Sequence, residues 1–138
     1  MYYVALVVAL ACVGCGQGSL LGPRTENKTQ QQGSITVWNY SSIAISSSTL
    51  KSFVRWYDKK LGGLKHKNIV INIYARTNNI LGNADLGGEI VRLYVKSSDS
   101  IHKILMTLAH ELHHLRGYTH TNMPGEKYFD ALVKEFTE

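Results

Sequence analysis

The run His110-Glu111-Leu112-His113-His114-Leu115-Arg116-Gly117-Tyr118-Thr119-His120 constrains this 138-residue chain more than any other stretch. Residues four apart share one face of a helix, so His110 and His114 can grip a single metal ion. Glu111 sits beside that face, within reach of the same ion. Gly117 marks the helix end, because glycine accepts the left-handed conformation that follows a last helical turn. The chain can then turn and return His120 as a third nitrogen donor. Three protein ligands leave one coordination position open, the condition of a catalytic zinc rather than a structural one.

Ser98-Asp99-Ser100 supplies caps, and the apolar spacing predicts a helix from Ile101 to about Arg116. At about 100° per residue, Ile101, Ile104, Leu105, Leu108, Leu112 and Leu115 fall in one core-facing arc. His110 and His114 point roughly the other way, with Thr107 and Glu111 leading from them to the apolar edge. His102, His113 and Arg116 occupy a third arc. By this reading His113 is turned away from the metal set, as a solvated histidine or one supporting a ligand, and His66 and His102 are surface residues.

The remaining elements follow from periodicity. Ile35 to Tyr40 alternates as a short strand, and Ser48 caps a helix from about Thr49 to Leu61 carrying Leu50, Phe53, Val54, Tyr57 and Leu61 at helical spacing. Ile69 to Arg76 reads as a strand with Ile69, Ile71, Ile73 and Ala75 on one side. Thr77 to Gly88 is dense in Asn and Gly and reads as turns. Glu89 to Lys96 alternates again, and its use of both faces points to a strand near the sheet edge. A loop follows His120, and Glu126 to Phe136 forms a closing helix with Phe129, Leu132, Val133 and Phe136 apolar. The expectation is an α+β domain over residues 35–138, a short mixed sheet with packed helices.

Residues 1–16 read differently. Val4 to Val13 is almost wholly apolar, too short for a comfortable span but suited to a signal-peptide core or membrane anchor. Cys12 and Cys15 both lie in settings like a lipoprotein processing site, so export or membrane anchoring is expected. Residues 17–34 are polar and Gly/Gln-rich, a flexible tether. These two are the chain's only cysteines, so the domain has neither a disulfide nor a thiolate ligand. The net charge of +5 is scattered rather than gathered in a block, which does not argue for nucleic acid.

The chemistry expected of this set is hydrolysis. A zinc ion held by His110, His114 and His120 activates water, Glu111 takes the proton as general base, and the same carboxyl can return it to a leaving amine. Tyr118 and Tyr128 are the nearby phenols that could assist an oxyanion.

His110 to His120 resembles the zincin metallopeptidases, and the elongated form with Gly117 and His120 is similar to the metzincin signature. Met123 follows His120 by only three residues, far closer than the separate Met-turn of metzincins. The wider arrangement is more similar to compact minimal zincins of the SprT/WLM kind, through Leu81-Gly82 to Val95, Thr107 to His114, and Glu126-Lys127-Tyr128-Phe129 with its helix. The resemblance implies a small zincin-like domain whose edge strand pairs with a peptide or protein substrate. That strand would be Ile90 to Val95. In another zincin branch the third ligand is a Glu on a later helix, here Glu126; the loop after Gly117 favours His120. A second resemblance, of Leu112-x-His114-Leu115-x-Gly117-Tyr118-x-His120 to the H-x3-H-x5-H motif of bacterial rRNA-maturation endoribonucleases, implies a ribonuclease with one metal held by three histidines instead. Glu111 and Thr119 depart from that family's pattern. A non-catalytic zinc-binding domain is a third reading, against which the intact Glu111 speaks.

Overall fold

The computed structural model describes residues 33–64, 67–87 and 89–138. The apolar N-terminal segment, nearly all of the expected tether and His66 lie outside the described residues. Within them the order is β1 (Ile35–Asn39), α1 (Ser47–Leu61), β2 (Ile69–Ala75), β3 (Gly82–Asp85), β4 (Ile90–Val95), α2 (Ile101–Leu115) and α3 (Glu126–Thr137). The domain is α+β, with three helices against a four-stranded mixed sheet ordered β1-β2-β4-β3. β1, β2 and β4 run parallel, and β3 is antiparallel to β4.

The period-two pattern sets the inner face of the sheet. Ile69, Ile71 and Ile73 of β2 and Val91, Leu93 and Val95 of β4 are all buried. Opposite them pack Leu50, Phe53, Val54 and Tyr57 of α1, and Leu105, Leu108 and Leu112 of α2. Each such side chain contributes about 1.5–3 kcal/mol through burial. Ala75, expected with the apolar side of β2, is exposed where the strand runs out. No helix among the described residues is long and apolar enough to cross a membrane.

Three local expectations need correction. α1 begins earlier than expected: Ser46, not Ser48, is its N-cap, and its hydroxyl accepts the Thr49 amide at 3.2 Å. That bond satisfies an amide the helix cannot satisfy itself. The Gly82-Asn83-Ala84-Asp85 tract, read as turns, is strand β3. Its composition is poor for a strand, but pairing with β4 in the register Gly82↔Leu93 to Asp85↔Ile90 overrides propensity. The third correction follows from the second. Ile90 to Val95 is an interior strand, hydrogen-bonded to β2 on one side and β3 on the other, so its backbone has no free edge for a substrate. The edge on this side of the sheet belongs to β3, and β1 forms the other.

Candidate metal centre

α2 carries the site, and its two ends explain where the histidines stand. Ser100 caps the start, its hydroxyl accepting the Lys103 amide at 3.1 Å. The end is a Schellman closure. The Tyr118 amide bonds His113 O at 3.1 Å, the Gly117 amide bonds His114 O at 2.9 Å, and Gly117 takes φ +96°. Gly117 therefore does what its place in the motif implied, and the chain reverses to bring His120 over the last turn. Gly117→Ala forces a side chain into this conformation, at a cost of about 1–2 kcal/mol. A fall in melting temperature together with weaker metal affinity is the expected outcome, checked by calorimetry and a chelator titration.

His110, His114 and His120 converge. Each offers one nitrogen, and these atoms all lie within 4.8 Å of one another. His114 Nε2 and His120 Nε2 are 3.2 Å apart. Two nitrogens each 2.0–2.1 Å from one ion at a tetrahedral angle would be about 3.3 Å apart, so this pair already has ligand spacing. His114 Nδ1 donates to the Tyr118 carbonyl at 2.8 Å, which fixes the tautomer and leaves Nε2 as the free donor. Burial first, then the neighbouring His114 and His120, lowers the pKa of His110 and favours the neutral form that can ligate. The donor set could hold a metal ion. Glu126 is not among the converging groups.

Glu111 is 5% exposed, and burial raises its pKa from 4.5 to about 7. Its carboxylate lies against the start of β3. A β-carbon on Gly82 would come within 3.0 Å of Glu111 Oε1 and 2.9 Å of Thr107 Cγ2, so the bare glycine makes the room Glu111 occupies. Gly82, Glu111 and His120 line two cavities at once, of about 720 Å³ and 360 Å³. Ile80, Leu81, Met106 and Phe129 also wall the larger, and Ala84, Leu86 and Tyr118 the smaller. The candidate metal centre thus stands midway along a groove that follows β3.

The free edge of β3 borders that groove. The Tyr94 amide bonds Leu81 O at 2.9 Å, and in an antiparallel ladder hydrogen-bonded pairs alternate with open ones. With Gly82 opposite Leu93 and Ala84 opposite Val91, the backbone groups of Gly82 and Ala84 point away from β4. Nothing in a Gly-Asn-Ala-Asp tract announces this role. The only available signal was its position just before an alternating strand.

His113 is indeed outside the metal set, but it is not solvated. It is 1% exposed, its Nδ1 lies 2.5 Å from the Tyr57 hydroxyl and 3.1 Å from Ala109 O, and burial pulls its pKa down to about 4. The rings of Tyr118, Phe129 and Tyr128 pack on it at 4.9, 5.0 and 5.5 Å. The rings of Tyr118 and Tyr128, expected as phenols for an oxyanion, thus both pack against His113, while Tyr118 also lines the smaller cavity beside His114 and His120. His102 is half-buried, its Nε2 2.8 Å from Asp130 Oδ1 on α3. Compared with protein-family models, with curated proteins and with solved structures, the chain matches none.

Proposed function

We propose that this chain is a zinc-dependent peptidase of the minimal zincin kind, with His110, His114 and His120 as metal ligands and Glu111 as general base and acid. The observation that carries the reading is the coincidence of three features: a three-nitrogen donor set, a buried carboxylate beside it, and an open sheet edge running past both. A zinc ion supplies Lewis acidity at such a site, polarising a carbonyl and easing the deprotonation of water. Glu111, whose pKa is raised to about 7, can accept a proton from water and give it to the leaving nitrogen near neutral pH. The substrate strand pairs with Gly82 and Ala84 of β3, adding a further strand to the sheet. With cavity on both sides of the centre, a chain can enter and leave, which suits cleavage within a peptide rather than at its end. The apolar N-terminal segment fits this reading as an export signal or anchor.

The deciding experiment uses the full chain: measure bound zinc, then assay casein and a structured RNA side by side. Stoichiometric zinc with proteolysis lost in Glu111→Gln supports the peptidase. RNA cleavage that survives this substitution overturns it in favour of the ribonuclease. Gly82→Ala provides an independent check, because its methyl group would crowd Glu111, Thr107 and the Arg92 carbonyl. A roughly ten- to hundredfold fall in kcat/KM with zinc content unchanged is expected.

A further inference from the structure

We propose that the larger cavity selects its peptide by two side chains on the same face of the bound strand. One is a bulky apolar residue next to the scissile bond; the other, two positions further out, is an acidic residue held by Lys103. The inference rests on the peptidase reading and names the substrate that site takes.

The cavity changes character along α2. His110 and Glu111 stand at one end, Met106 lies one turn back, and His102 and Lys103 lie two turns back, about 12 Å away at 1.5 Å per residue. The walls between are apolar, from Ile80 and Leu81 before β3 and Phe129 of α3. Ile80 and Leu81 remain 52% and 38% exposed, apolar surface that gains by being covered.

The far end has a cation to spare. The Asp99 side chain, 5% exposed, takes Arg76 Nη2 at 3.1 Å and Lys103 Nζ at 3.2 Å, so two positive groups share one carboxylate. Arg76 is sealed behind the cavity wall at 8% exposure, and its Nη1 is buried with no hydrogen-bond partner among the described residues. Lys103 is 48% exposed and carries three N–H donors, of which Asp99 takes one. Asp130 is likewise shared, between His102 at 2.8 Å and Lys134 at 2.7 Å. Glu126, the other acidic residue lining the cavity besides Glu111, lies one helical turn before Asp130, towards Pro124 and His120. It disfavours an acid near the metal end and leaves the far end to Lys103.

An extended strand advances about 3.3 Å per residue with side chains alternating, so the first and third residues beyond the scissile bond point the same way. The third reaches about 10 Å from the centre, within range of the long Lys103 side chain.

The test is binding to the zinc-loaded, full-length Glu111→Gln protein by fluorescence anisotropy. The labelled peptides carry Leu at the first position and Asp, Asn or Lys at the third, synthesised in both chain directions. Asp is expected to bind about fivefold tighter than Lys, with the difference shrinking as salt is added. A second substitution, Lys103→Glu, should reverse the preference, and Lys103→Gln, which removes the charge from a side chain one atom shorter and decides the matter if the glutamate variant does not fold, should level it. Equal affinities, or no binding by any of the peptides, overturn the proposal. A wild-type protein that cleaves none of them counts against the peptidase reading, while the binding series still decides this one.

Discussion

Glu111→Gln is expected to lower kcat towards peptides by about 10²–10⁴-fold while bound zinc stays stoichiometric, because in the proposed reaction the residue moves protons and binds no metal. The substitution has a second consequence, of opposite sign, for stability. The pKa of Glu111 is about 7 in the fold against an ordinary value of 4.5. A carboxyl raised in this way contributes stability fully below the lower value, and that contribution is lost as pH rises through the higher one. In chelator at pH 8 the wild-type protein therefore holds a buried, ionised carboxylate at a cost of about 3 kcal/mol. Gln has the same shape without the charge. The metal-free variant should be the more stable protein at pH 8, and the two should converge near pH 4.5. Urea titrations at the two pH values check this; identical curves at pH 8 would mean that Glu111 is not desolvated.

His120→Ala is expected to weaken zinc by more than about 100-fold, beyond the 10- to 100-fold that loss of a supporting hydrogen bond costs. A competition titration against a chelator of known affinity reads this. The wild-type protein at a hundredfold excess of zinc over its Kd should gain about 2.7 kcal/mol of stability, and the variant almost none of it under the same conditions. His113→Ala separates ligand from neighbour. His113 packs against Tyr57 in the core, so its removal should destabilise the protein while zinc affinity stays within about tenfold. Equal losses of affinity in the two variants would contradict a three-histidine site.

The convergence of the three histidines was legible because it is local. His110, His114, Gly117 and His120 lie within one helix and its cap, where 3.6-residue geometry and the glycine's conformational freedom govern placement. The inner faces of β2 and β4 were legible for the same reason, since alternation is a property of a single strand. What could not be read required a neighbour. His113 lies on a flank that would be open to water on an isolated helix; α1 supplies Tyr57 and α3 supplies Phe129 to close it. β3 owes its existence to pairing rather than to its own residues, so Gly and Asn pointed to a turn. Once β3 took the edge, the two-sided alternation of Ile90 to Val95 meant an outer face bearing Arg92 and Tyr94, not a free edge.

Tyr118 joins two equilibria that are usually separate. Its amide ties off the last turn of α2 through His113 O, and its carbonyl holds His114 Nδ1. Fraying of that turn therefore releases the imidazole whose free nitrogen faces His120. Conversely, an ion bound to that nitrogen restrains the turn. If an ion binds there, its occupancy and local unfolding share one free energy, so that protection of the Gly117 and Tyr118 amides against hydrogen exchange would measure how tightly the site is held. A helix end, ordinarily the first part of a domain to open, is here kept closed from outside the helix.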